Sequence, residues 1–222
     1  MTNVTGREHL DSLMEILQED LVKMVSLAEE RIKQSITALN NMDLELAKKI
    51  IESDDDIDDL EKVIEQKCIK LIATQQPTAK DLRGITTTLK IISEIERIGD
   101  YAVDISKGIK RLPKQLSSNA MDEIRKMAIR VVDFLDSSVD CFIKQDDIMA
   151  LKLVVIDDEI DASYKKILLD SMRYMRDNGK DAQEIMHLMF ITKYLERIAD
   201  RATNICEWAI FITTGEHKDL NN

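Results

Sequence analysis

Eight carboxylates stand in this chain as four pairs spaced by four residues: Asp54 and Asp58, Glu96 and Asp100, Asp157 and Asp161, Glu196 and Asp200. On a helix, residues four apart share a face, about 6 Å apart along the axis, so each pair presents two carboxylates together. Two pairs contributed by neighbouring helices would make a hard-oxygen site, suited to Mg, Mn, Ca or iron and less to a thiolate-loving ion. Like charges on one helix face cost a few tenths of a kcal/mol per pair when nothing compensates them. A chain that keeps this cost at equivalent places has a use for it, and cation binding is the use these residue types fit.

The equivalence is internal to the chain. Glu96-Arg97-Ile98-Gly99-Asp100-Tyr101-Ala102 returns 100 positions later as Glu196-Arg197-Ile198-Ala199-Asp200-Arg201-Ala202. Around it, the apolar series Ile91, Ile95, Ile98, Ala102, Ile105, Ile109, Leu112 recurs as Ile191, Leu195, Ile198, Ala202, Ile205, Ala209, Ile212. Steps of four and three make each series a coiled-coil-like seam. Asp54-Asp55-Asp56-Ile57-Asp58 returns at an offset of 103 as Asp157-Asp158-Glu159-Ile160-Asp161. A three-helix unit is therefore duplicated in tandem. At about 100° per residue, Glu96, Asp100 and Asp104 project away from the seam, onto a flank partly open to solvent. Asn204 stands where Asp104 stands in the first copy, so the two sites can differ in charge or metal count.

The elements that must position these residues follow from periodicity and its breaks. Apolar spacing predicts helices over about His9–Leu39, Leu44–Ala73, Thr78–Leu112, Met121–Ile143, Ile148–Met175 and Asp181–Thr213. Asp43 is placed to cap the second, and Thr78 with Asp81 forms a capping-box pattern before the third. Pro113 ends the third, and Gly179 in Asp177-Asn178-Gly179 reads as a left-handed stop to the fifth. Lys114–Asn119 is the linker, dividing the chain into repeats over 1–113 and 119–222. Short breaks imply antiparallel neighbours, so the expected fold is all-α, two tandem antiparallel three-helix bundles. Gly99/Ala199 and Ala102/Ala202 would let neighbouring helices approach closely.

Composition narrows the function. Of 222 residues, 42 are acidic and 31 basic, a formal charge of −11 without a basic stripe, which argues against nucleic acid. No stretch reaches the ~18 apolar residues of a membrane span, and Met1–Leu10 has no signal-like core, which predicts a cytoplasmic protein. Cys68, Cys141 and Cys206 match no zinc spacing and read as core thiols. Glu184-Ile185-Met186-His187 has the Glu-x-x-His form of di-iron bundles, but a second copy is missing, so His187 reads as a surface or boundary residue. Met172, Met175, Met186 and Met189 read as core packing, as does Trp208. With no Gly-rich phosphate loop and no Ser/His/Asp set, the expectation is a non-enzyme. The alternative is a metal-dependent enzyme, di-iron oxidase-like or phosphohydrolase-like, on the same carboxylates.

Over essentially its whole length the chain resembles the PhoU family of phosphate-uptake regulators, on the tandem three-helix halves and the acidic motifs quoted. The resemblance implies a peripheral regulator that acts with the phosphate-specific ABC transporter and the phosphate-sensing histidine kinase, keeping the starvation response off in rich phosphate. It also implies iron, zinc or manganese at the eight carboxylates, and a homodimer.

Overall fold

The computed structural model describes residues 6–53, 55–112, 118–177 and 182–220. They form helices α1 (Gly6–Asn41), α2 (Leu44–Glu52), α3 (Asp55–Gln75), α4 (Ala79–Ile109), α5 (Ser118–Lys144), α6 (Asp147–Asp177) and α7 (Ala182–Thr214). The architecture is all-α, two tandem three-helix bundles, with α2 and α3 together forming the middle helix of the first.

That division departs from the single helix expected over Leu44–Ala73. The helix stops at Ser53, whose N–H reaches the Lys49 and Ile50 carbonyls. The Arg31 guanidinium, on buried α1, donates to the Ser53 carbonyl and satisfies an acceptor that helix continuation would have used. In the second half the corresponding α6 runs unbroken, and the position equivalent to Arg31 is the fully buried Phe134. A guanidinium in the first half thus replaces a core ring in the second. Two ends behave as expected. Asp43 accepts the N–H groups of Glu45 and Leu46, and Asp81 accepts the Thr78 N–H at 3.0 Å. α4 ends three residues before the expected Leu112, in a turn. Asp54, Pro113, most of the 114–119 linker and the Gly179 stop lie outside the described residues.

The two seams are the centre of the molecule. Ile91, Ile95, Ile98, Ala102, Ile105, Ile109 and their second-half counterparts through Ala209 are all buried, within one core shared by both halves. α4 packs on α1, α2 and α3, α7 on α5 and α6, and α4 and α7 make the most extensive contact of all, on each other. Glu94 meets Arg201 and Asn204, Tyr101 meets Tyr194, and Gly108 faces Ile191. Position rises in α4 as it falls in α7, so the helices cross antiparallel, about a pseudo-two-fold axis that exchanges position n with n + 100. Close approach has its expected glycine: a Cβ on Gly99 would fall 2.7 Å from Ile57 Cδ1. Core methyls would have to shift to admit even one methyl group.

Pseudo-symmetry relates the Glu94–Arg201 contact to the Tyr101–Tyr194 contact. One is an ion pair of 3.0 Å with Asn204 adding a second donor at 3.2 Å, and the other is a ring stack with centroids 6.0 Å apart. The ion pair is only 17–20% exposed, so removing one partner strands the other charge in a poorly solvated place. We predict that Glu94→Gln lowers stability by about 2 kcal/mol in urea titration, while Glu94→Leu with Arg201→Met recovers most of it. A change below about 0.5 kcal/mol would show that the ion pair does not tie the halves together.

Candidate metal centre

Asp58, on the first turn of α3, faces Glu96 and Asp100 on α4. One oxygen from each of the three carboxylates lies within 4.8 Å of the others. Among the described residues no other group of three His, Cys, Asp or Glu side chains converges in this way. Helical periodicity puts the trio on the flank, opposite the buried Ile95–Ile98–Ala102 face. Glu96 is half-buried and Asp100 exposed. Glu61, one turn beyond Asp58, joins Ser93, Arg97 and Tyr101 around the same open cleft of about 430 Å³.

Electrostatics make the cluster strained without a cation. The Glu96 carboxyl is pushed up to about 7, first by burial, then by the charges of Asp100, Glu61 and Asp58, against a weaker pull from Arg97. Glu61 is raised too, first by burial and then by the like charges of Glu65, Asp58 and Asp100. All donors are hard oxygens, and solvent reaches the cleft. The residues present fit a divalent or ferric ion.

The second set is arranged differently. Asp157 is half-buried, and burial with the charges of Asp200 and Asp161 lifts it to about 6 against the hydrogen bond from Thr203. Burial and Glu196 likewise raise Asp200. But Lys193 brings its ammonium to both Glu196 oxygens, at 2.6 and 2.5 Å, and lies over the Tyr164 ring at 5.1 Å. Asp161 is paired with Lys165 at 3.0 Å. Lys193 stands where the first half has Ser93, and Tyr164 where it has Glu61. The second half carries an internal cation in the space that the first leaves to solvent.

Thus the structure gathers Asp58, Glu96 and Asp100, and it leaves Glu196 and Asp161 ion-paired. Glu61, Lys193, Tyr164 and Arg31 were missed at the sequence level. Glu61 was legible as the next turn of the Asp58 face, and Lys193 by reading the duplicated seam one position at a time. Two other expectations need correction. His187 is buried, because α4 crosses α7 there. Met172 and Met186 are exposed, and only Met175 and Met189 pack on the core. The three cysteines are free and buried as expected, and Trp208 packs against Phe211 and His217.

A duplicated three-helix protein with carboxylate clusters on the flanks of its central helices defines a narrow class. The PhoU domain matches the chain twice, over residues 21–109 and 124–209. The chain is 40% identical, over 97% of its length and 99% of the relative's, to a phosphate-specific transport system accessory protein PhoU homolog of Clostridium acetobutylicum. It is 30% identical to the Escherichia coli phosphate-specific transport system accessory protein PhoU, across 91% of this chain and 84% of that one. The crystal structure of PhoU from Pseudomonas aeruginosa superposes with a TM-score of 0.89 at 29% identity, covering 93% of this chain and 99% of that one. The Streptococcus pneumoniae phosphate transport system regulatory protein PhoU gives 0.88 at 26% identity, covering 95% and 99%. The chain belongs to the PhoU family.

The raised Glu96 carboxyl carries a sign. Folded protein holds its proton more tightly than the unfolded chain, so between pH 4.5 and about 7 rising pH removes stability, and above 7 the whole cost is present. Solvent screens part of it. Metal-free Glu96→Gln should therefore melt about 2–4 °C above the parent at pH 8 and level with it at pH 4. Scanning calorimetry in chelator checks this. Equal melting at both pH values would mean that the carboxylates do not strain the fold.

Proposed function

We propose that this chain is a cytoplasmic accessory regulator of phosphate uptake, working through protein contacts with the phosphate-specific ABC transporter and the phosphate-sensing histidine kinase. The observation that carries the reading is near-whole-length similarity to accessory proteins of that transport system. Among the described residues no helix is long and apolar enough to cross a membrane, which suits a peripheral partner. Deleting the gene should raise phosphate uptake and phosphatase expression in rich phosphate, and the intact gene should restore both. Unchanged uptake and expression would remove the proposal.

Within that role, Asp58, Glu96 and Asp100 are proposed to hold iron, zinc or manganese, with Glu61 at the edge of the site. A bound cation would neutralise the cluster and let α3 and α4 stay close. Asp157, Asp161, Glu196 and Asp200 are proposed as a second, weaker site, because a metal there must displace Lys193 from Glu196. The role proposed for the metal is structural, holding a helix pair for partners, and homodimerisation belongs to the same proposal. A metal-dependent hydrolase on the same carboxylates would be supported by phosphoester turnover that rises with added manganese and vanishes in Glu96→Gln. Inert, fully metallated protein would support the regulator.

A further inference from the structure

Between the last turns of α4 and the first turns of α7 lies a cavity of about 280 Å³ that the acidic sites do not use. We propose that it binds inorganic phosphate, with Lys107, Arg111 and His187 as donors to the oxyanion and Asp104 as acceptor from its remaining hydroxyl. The proposal stands apart from the regulator reading and rests on four observations.

His187 is only 9% exposed, lines the cavity, and makes no hydrogen bond among the described residues. Its ring nitrogens are not among the sealed, unpartnered polar atoms of the described residues, so solvent reaches them and a ligand in the cavity can take that solvent's place. Lys107, in the last turn of α4, and Arg111, in the turn just after it, face the cavity, two cations converging on one small space in a chain of net charge −11. Their place near the C-terminal end of α4 favours positive charge in any case. It does not account for an imidazole lining the same space from the helix opposite.

The duplicated end supplies a control. Positions equivalent to Lys107, Arg111 and His187 are Glu207, Phe211 and Thr87, so these donors are no requirement of the repeated packing. At that end the chain fills the space itself. The Leu220 N–H donates to Glu207 at 2.7 Å, and the His217 ring packs on Trp208 at 4.9 Å. The cavity at the His187 end is the open counterpart of a covered one.

Asp104 fixes which oxyanion fits. It pairs with Lys107 at 3.3 Å and lines the same cavity, so it repels any fully deprotonated anion. Near neutral pH inorganic phosphate keeps at least one P–OH, which can donate to a carboxylate. Sulfate keeps none, and a phosphate ester, with its second pKa near 6, has mostly lost its own. Tyr194 and the half-exposed Phe190 wall the remaining side.

The test is calorimetric titration of the full chain with inorganic phosphate in chelated buffer at pH 7, beside sulfate and phosphoserine. Phosphate should bind at one site, roughly tenfold more tightly than either competitor. Arg111→Gln, at an exposed position, and His187→Gln should each weaken it roughly tenfold, as loss of a charge-assisted or buried hydrogen bond does. Asp104→Asn should bring sulfate level with phosphate. Circular dichroism of Arg111→Gln shows that the variant is folded. Absence of phosphate binding, binding unchanged in folded Arg111→Gln, or parent protein that takes sulfate as well as phosphate would each overturn the proposal.

Discussion

Burial of the α4 and α7 seams against each other is the constraint from which the rest follows. Once Ile95, Ile98, Ala102 and Ile105 face the core, the 100° step of the helix sends Glu96 and Asp100 to the flank beside α3. The same constraint in α7 sends Glu196 and Asp200 beside α6. The carboxylates occupy faces of these central helices that still see water. Their partial burial is enough to lift Glu96 toward neutrality without hiding it from an ion.

Duplication gave both halves the same scaffold, and a few substitutions then made them different. Ser93 against Lys193 and Glu61 against Tyr164 decide whether the acidic space is open or already holds a cation. Arg31 against Phe134 goes with a broken middle helix in one half and a continuous one in the other. Glu94–Arg201 against Tyr101–Tyr194 makes the two ends of the central crossing chemically distinct. None of these changes touches the seam. Most of the asymmetry lies on the flanks and at the ends of the crossing, with Arg31 against Phe134 the one of these changes that reaches into the core.

How much of this was legible in the sequence follows the same division. Seam residues repeat at helical spacing with almost no exceptions, so the helix inventory, the tandem plan and the orientation of the carboxylates could be read from period alone. The break at Ser53 could not, because it depends on a guanidinium from α1 reaching a carbonyl across the bundle. Nor could burial of His187, which follows from the antiparallel crossing of α4 over α7, a contact between halves that no local pattern encodes. For the site, Glu96, Asp100 and Asp58 were found because a pair spaced by four is a property of one helix. Whether Glu196 is free or ion-paired is set by the rotamer of Lys193, and spacing does not report that.

The account stands or falls on whether the Asp58–Glu96–Asp100 cluster is a cation site that its second-half counterpart matches only weakly. The direct measurement is calorimetric titration of chelator-treated full-length protein with manganese, beside Asp100→Asn and Lys193→Ser variants. The account predicts one tight site that Asp100→Asn abolishes, and a second that tightens when Lys193→Ser frees Glu196. Parent protein that takes up no manganese, or that binds it unchanged in both variants, would contradict it.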